Sequence, residues 1–417
     1  MAMNKSGKYQ MKKILFISYD GMTDPLGQSQ VIPYLTGLTQ FGYEFTILSC
    51  DKPHLFKKNK TYISNLLKPF PIQWVSVPYH KHPLVVSSIF DFYRMKKKAG
   101  QLHKEQQFDM VHTRPGVPAL IGLWMKKKWS IKFLNDVREF YADSRVEGGI
   151  WNTKFYIYRV LYNFFKRKEE EAINVNDGIV CLTYAAEKII KAWPQYKQTP
   201  LQVIPCSTDL NLFDPEKIDI TSKENLAKEL GIKEDDFIIS YLGSIGGWYL
   251  TDEMMQFCKI VSDKIYKVKF LFISPQGHDT ITSLAEKYDL PSGKIITRFG
   301  ERRELPALLS FSKYSVFFIK PCYSKISSSP TKHGELMAMG IPVITNAGVG
   351  DIEQIVNKYN SGIVLKQLNK NEFSRIADLL QSGITFNRED IRHGAQHFYA
   401  LEKAVQKYSQ LYKIMLA

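Results

Sequence analysis

The sequence predicts an α/β fold of two doubly wound domains, each a parallel sheet covered by helices. Three observations predict it. Thirteen short, near-continuously apolar stretches alternate with segments of helical length and period, the pattern of parallel strands buried on both faces. The 417 residues exceed what one hydrophobic core holds, so two domains are the default. A polar, turn-rich segment from Pro205 to Pro215 divides the series of strands.

In the first half strands are expected at Lys13–Ser18, Glu44–Ser49, Gln73–Val77, Asp109–His112, Lys132–Asn135, Gly178–Leu182 and Gln202–Ile204. In the second half they are expected at Phe237–Leu242, Lys267–Ile273, Lys294–Arg298, Ser315–Ile319, Pro342–Thr345 and Gly362–Leu365. The expected domains are 11–207 and 208–395, with a last helical stretch, Phe398 to Leu416 within about 396–417, returning to the first domain. Residues 1–10 read as a polar leader that the fold does not need.

Composition removes several classes. Hydrophobic residues make up 44% and aromatics 13%, enough for packed cores and too much for disorder. The longest apolar run, Val117 to Met125, is followed by Lys126, Lys127 and Lys128 and falls well short of the ~18 residues of a spanning helix. The stretch Ile14–Ser18 runs into Asp20, which reads as a core strand and not as a secretory signal. The five cysteines are widely spaced with no Cys-x-x-Cys, which fits a reducing cytoplasm and argues against a zinc site or a disulfide framework. No metal is expected.

Charge is uneven. Residues 1–200 hold 30 basic and 16 acidic side chains, a net of +14, whereas residues 201–417 hold 26 and 25. The basic excess sits beside aromatic helices. Val86, Ile89, Phe90 and Tyr93 precede Arg94–Lys98, and Trp124 and Trp129 bracket Lys126–Lys128. Between Trp151 and Lys168, Phe155, Tyr158, Tyr162 and Phe165 share one face. For one such helix, a core-facing stripe with solvated lysines explains the pattern. Three on one domain point to an anionic membrane surface met through residues 85–168. No nucleic-acid motif is present, so nucleic acid is not expected as the anionic partner.

In open α/β sheets ligands sit at the carboxyl ends of strands, so the loops there carry the chemistry. After the first strand, Gly27 ahead of a helix start would let a ligand approach the backbone and its free amides; a plain turn with an N-cap is an equal reading. At the fourth strand's end, His112 and Arg114 share a face. Arg114 suits phosphate or carboxylate, and His112 is either a satisfied core histidine or a ligand contact. After the fifth strand, Asp136, Arg138, Glu139 and Asp143 crowd one loop, as a functional site or a local salt-bridge cluster.

The most informative segment is Ser327–Asn346, read as loop, helix, tight turn and strand. The helix is expected from about Thr331 to Met339, with Pro330 in its first turn and Gly340 as its cap. Ser329, Pro330, Thr331 and Lys332 with the first-turn amides form a cationic phosphate cradle. Glu335, one turn on from Thr331, can accept the two hydroxyls of a ribose. Together they read as a nucleotide site.

This segment resembles the donor motif of retaining glycosyltransferases of the GT-B fold, particularly family four. Glu335 matches the second glutamate of their Glu-x7-Glu pattern, and Met337–Ile344 matches the Ala-x-Gly-x-Pro-Val-Ile trailer. Asp109–Arg114, Gly178–Thr183, Val203–Phe213 and Ser240–Trp248 are similar, in order, to the acceptor-side strand tip, the strand before the linker, the linker and the first nucleotide-domain strand and loop. The resemblance spans about residues 11–385. The first glutamate falls on Ser327, the catalytic-side histidine on Arg114, and the diphosphate-gripping Arg and Lys on Ser244 and, roughly, Trp248. Some subfamilies carry Ser-Pro-Thr-Lys before the second glutamate, and others an Asp-x-Arg loop matching Asp136 and Arg138.

The resemblance implies two Rossmann-like domains facing a cleft. It implies transfer of a sugar from a UDP- or GDP-sugar, without metal or cofactor, to an acceptor hydroxyl with retention. Lys332 and the amides near Thr331, Gly27, Gly243 and Ser244 would take the leaving diphosphate's charge, and Gly300 with Glu301 would surround the base. Asp136 would position the acceptor, with Arg138 and Arg114 as clamps. A lipid-linked glycan acceptor on the inner face of the cell membrane would account for the basic half. A catalytically weak nucleotide-sugar-binding scaffold, motivated by Ser327, and a GT-B epimerase or phosphorylase are the other readings.

Overall fold

The computed structural model describes residues 11–417. The leader 1–10 lies outside the described residues. The described chain forms two units, residues up to Pro205 together with Leu401–Ala417, and Cys206–Ala400.

The first unit contains β1 (Lys12–Ser18), β2 (Tyr43–Asp51), β3 (Ile72–Pro78), β4 (Met110–Thr113), β5 (Lys132–Val137), β6 (Gly178–Cys181) and β7 (Leu201–Val203). They form one sheet in the order β3-β2-β1-β4-β5-β6-β7, every pairing parallel. The order reverses between β1 and β4, where a doubly wound sheet opens a crevice at its carboxyl edge. Alternate residues of β1 serve opposite faces, as strand geometry requires. Ile14 and Phe16 pack with Leu35, Leu38, Leu411 and Tyr412, and Leu15 and Ile17 with Met95, Ala99, Ile121 and Met125.

The last helix, Leu401–Leu416, is thus part of the first unit's core. It buries Ala404, Val405, Tyr408, Leu411, Tyr412 and Met415 against the helix Ile32–Thr39 and the sheet. Gly37 permits the approach, since a Cβ there would lie 2.8 Å from Val405 Cγ2. The expected terminal stretch from Phe398 is two helices, Arg388–Phe398 and Leu401–Leu416, and only the second belongs to this unit.

The second unit contains β8 (Phe237–Leu242), β9 (Val268–Ile273), β10 (Ile295–Arg298), β11 (Tyr314–Phe317), β12 (Val343–Asn346) and β13 (Gly362–Leu365). Their order is β10-β9-β8-β11-β12-β13, again parallel, reversing between β8 and β11. One apolar core runs through both faces, from Ile239 and Phe270 to Leu336, Ile376 and Ile391.

All thirteen expected strands are present, with no end moved by more than two residues. One shift matters. Asp136 lies inside β5 and not in the loop after it, because Asp136 and Val137 continue the ladder against Val180 and Cys181.

Candidate functional site

In the second unit the helix Thr331–Ala338 starts beside β11 and ends ahead of β12. Pro330 is its N-cap, with φ −66°, and Gly340, just beyond the C-cap Met339, takes φ +66°, the left-handed turn that ends a helix. Seven of its eight residues, Lys332 to Ala338, are buried. The His333 amide bonds the Pro330 carbonyl at 3.0 Å, and the Thr331 and Lys332 amides ahead of it, with no acceptor within the helix, leave a positive end for an anion.

Lys332 points into the crevice between β8 and β11. Its Nζ lies 3.8 Å from the Tyr249 ring centroid, 4.2 Å from that of Tyr241 and 5.7 Å from that of Phe317. It is buried and makes no hydrogen bond. Gly243 closes the cage: it takes φ +130°, and a Cβ there would sit 2.5 Å from Lys332 Nζ. Each ring returns ~0.5–2 kcal/mol to a cation. Burying an unpaired ammonium costs several kcal/mol, so desolvation wins. Burial accordingly pushes the Lys332 ammonium well below the usual lysine range, with Glu335 opposing the shift.

Glu335 is itself buried, and its Oε1 accepts from Arg302 Nη1 at 2.9 Å. One of the two oxygens expected to meet a ribose is therefore already engaged. Arg302 follows β10 and also stacks on Phe213, 5.3 Å from its centroid. Lys325 Nζ lies 3.7 Å over the Trp248 ring, so the loop after β8 has a second lysine beside it. Sequence reasoning missed both Arg302 and Lys325, because neither lies in a recognisable motif.

The other donor-side residues are placed as follows. Ser244 is exposed, and its carbonyl accepts from the Tyr241 hydroxyl. Ser329 Oγ accepts from the Cys206 amide at 3.3 Å. Ser327 is fully buried in a short 3₁₀ turn, Tyr323–Ser327, and donates to the Ser324 carbonyl at 2.8 Å. Gly300 is packed by the chain: a Cβ would lie 2.7 Å from Leu308 Cδ1. Gly27 needs correction. It sits inside the helix Pro25–Gln30 and not ahead of it, and a Cβ would lie 2.3 Å from the Gly21 carbonyl oxygen. Its missing side chain serves local packing against Gly21 and Met22.

In the first unit, the strand ends at the β1/β4 crevice gather Asp20, His112, Arg114, Asp136 and Arg138. Asp136 Oδ2 accepts from the Tyr408 hydroxyl at 2.9 Å and from Arg138 Nη1 at 3.4 Å, and His112 Nε2 lies 3.6 Å away. Oδ1 is buried with no partner. Burial resists ionisation of Asp136, but Arg138, then His112 and Arg114, outweigh it and hold the carboxyl down at about 2. Burial pushes the His112 imidazole below its ordinary value, with Asp136 opposing. His112 is thus a core histidine in position, and its Nδ1 meets the Tyr412 hydroxyl at 2.7 Å. Arg138 Nη2 donates to Gln30 Oε1 at 3.3 Å. Arg114 Nη2 reaches Asp20 at 3.4 Å, while its buried Nε and Nη1 have no partner. Glu139 and Asp143 belong elsewhere, paired with Arg145 and Lys166.

The basic helices divide into two kinds. Val86, Ile89, Phe90 and Tyr93 on Leu84–Gln106 are exposed. On Tyr156–Val175 the exposed set is Tyr156, Ile157, Val160 and Phe164, with Phe155 just ahead. The expected stripe of Tyr158, Tyr162 and Phe165 is the half-buried face. Trp124 and Trp129 pack on each other at 4.9 Å under Lys128 and form no open face. Among the described residues no helix is long and apolar enough to cross a membrane.

Residues 222–396, which span the helix Thr331–Ala338, match the profile of the family described as glycosyl transferases group 1. The second unit is a group 1 glycosyltransferase domain. The chain thus carries a glycosyltransferase domain, and solved structures show that its fold is GT-B. It aligns with a glycosyltransferase from Rickettsia africae ESF-5 at TM-score 0.72 and 16% identity, over 98% of this chain and 99% of that one. It aligns with HepE from Anabaena in complex with UDP-glucose at TM-score 0.69 and 12% identity, over 96% and 98%. It aligns with WaaG, a glycosyltransferase involved in lipopolysaccharide biosynthesis, at TM-score 0.67 and 15% identity, over 94% and 98%. No curated protein matches the sequence. The glycosyltransferase keeps a lysine cage where the cradle was expected and a buried carboxylate where the acceptor loop was expected.

Proposed function

We propose that this glycosyltransferase moves a sugar from a UDP- or GDP-sugar to an acceptor hydroxyl, with retention at the anomeric carbon. The observation that carries the donor reading is Lys332, a buried lysine without a hydrogen-bond partner at the β8/β11 crevice and at the start of the helix Thr331–Ala338. An arriving diphosphate is the anion it lacks, and the first-turn amides are its other ligands. The complex of HepE with UDP-glucose supports the same donor class.

In the reaction the acceptor oxygen forms a bond to the anomeric carbon as the bond to the diphosphate breaks. The diphosphate leaves with the electron pair and takes up the acceptor's hydroxyl proton on a phosphate oxygen, and Lys332, Lys325 and the first-turn amides stabilise the charge that develops there. We read this as needing no bound metal, so a chelator leaves the rate unchanged. Glu335, positioned by Arg302, holds a ribose hydroxyl. Asp136 takes the acceptor hydroxyl on its free Oδ1, with Arg138 and Arg114 holding the rest of the acceptor.

The acceptor we propose is a lipid-linked glycan of surface polysaccharide or glycoprotein synthesis, at the cytoplasmic face of an anionic membrane. The exposed Val86, Ile89, Phe90, Tyr93, Ile157 and Phe164 beside Arg94 and Arg159 support this reading. A second reading, a nucleotide-sugar-binding subunit with weak turnover, is favoured by one observation: Ser327, where the family pattern has a carboxylate, is sealed in the core. A panel of UDP- and GDP-sugars with lipid-linked acceptors separates the two. Release of nucleoside diphosphate supports transfer, and saturable binding without release supports the scaffold.

A further inference from the structure

Three side chains converge on one oxygen, Asp136 Oδ2, and a fourth supports one of them. Tyr408 and Tyr412 stand one turn apart on Leu401–Leu416 and share a face. Tyr408 donates to Asp136 Oδ2, Tyr412 meets His112 Nδ1, and His112 Nε2 and Arg138 Nη1 approach the same Oδ2. The polar contacts of the Asp136 carboxylate fall on Oδ2, and Oδ1 has none.

The network fixes its own protons. Burial raises both tyrosine hydroxyls, so they stay protonated. With Tyr412 donating to Nδ1, the neutral His112 ring carries its hydrogen on Nε2, turned towards the carboxylate. The opposite tautomer would aim a lone pair at Oδ2. Packing alone does not call for these hydroxyls. Phenylalanine would fill the same space beside Tyr34, Tyr43 and Phe45 without burying a polar group.

We infer that Tyr408, Tyr412 and His112 are positioning residues, which hold Asp136 turned so that Oδ1 alone is presented to the acceptor hydroxyl. The inference rests on the reading of Asp136 as the acceptor-side carboxylate. It makes the carboxyl-terminal helix part of the acceptor site as well as of the core.

The test combines a spectrum and a rate. In protein labelled with ¹⁵N-histidine, His112 shows the neutral Nε2–H tautomer at pH 7, and Tyr412→Phe removes that preference. A Nδ1–H ring or an imidazolium in the wild type overturns the inference, whether or not any acceptor turns over. Rates use UDP- and GDP-sugars with octyl β-glucoside as model acceptor. Tyr408→Phe lowers kcat by about tenfold or more with donor KM unchanged, as expected for losing a hydrogen bond to a charged group. His112→Gln places an amide nitrogen near Nε2 and keeps more activity than His112→Asn, which does not. Wild-type kcat in Tyr408→Phe and His112→Asn, with Asp136→Asn inactive, overturns the positioning role alone. An active Asp136→Asn overturns the reading of Asp136 and the inference with it.

Discussion

Lys332 Nζ lies 3.8 Å from the centre of the Tyr249 ring and has no hydrogen-bond partner in the free protein. Burial lowers the proton affinity of this amine, and a diphosphate beside it raises that affinity. UDP-glucose, whose diphosphate does not titrate near neutrality, should therefore bind with uptake of a proton. Calorimetry in two buffers of different ionisation enthalpy measures it. The uptake should vanish in Lys332→Met, and affinity there should fall by ~10–100-fold, as for loss of a charge-assisted contact.

The same depressed lysine makes stability depend on pH. The unfolded chain binds its proton up to about 10.5, the folded chain only to a lower pH. Between those limits the unfolded state holds the extra proton, so wild-type stability rises with pH. Lys332→Met removes this contribution. Denaturant titrations of both proteins at pH 7 and pH 9 should show a steeper rise in the wild type.

Asp136 also makes stability rise with pH, but in the acid range and by stabilising the fold. Its carboxyl sits at about 2 against an ordinary 3.8, so it contributes stability above 3.8 that is lost as pH falls towards 2. Asp136→Asn should flatten the acid side of the stability curve. It should also abolish transfer while leaving nucleotide-sugar affinity unchanged, which separates the acceptor role from the donor site.

Arg302 and Glu335 form a half-buried pair. Arg302→Met leaves the Glu335 carboxylate without its partner. With Arg302 27% exposed, the loss should be ~1–2 kcal/mol, below the figure for a fully buried pair. Nucleotide binding should weaken as well, since the ribose acceptor is no longer held. Thermal unfolding with and without UDP-glucose measures both.

The exposed apolar face predicts salt-sensitive binding to anionic vesicles, because the interaction depends on Lys and Arg beside the aromatic residues. Ile157→Asp with Phe164→Asp should remove it. Equal sedimentation with neutral and anionic vesicles would count against a lipid surface.

Much of the architecture was legible because parallel strands are locally apolar and short, so each of the thirteen announces itself. The helix after Pro330 was legible for the same kind of reason, a proline before it and a glycine after it. The site was legible only where its residues are close in sequence, as Lys332 and Glu335 are. Tyr408 and Asp136 are 272 residues apart, and no local pattern announces such a partner. Gly27 shows the converse error. A glycine near a helix start resembles a ligand site, yet Gly21 and Met22 occupy the space that a side chain would need. The polar residues around Asp136 resemble a loop at a strand's end, whereas pairing with β6 carries the strand through it.

The most direct test of the donor claim is calorimetric titration of wild type and Lys332→Met with a panel of UDP- and GDP-sugars. At least one nucleotide-sugar should bind the wild type saturably and bind Lys332→Met far more weakly. Equal affinity for both proteins, or no binding of any nucleotide-sugar to the wild type, would contradict it.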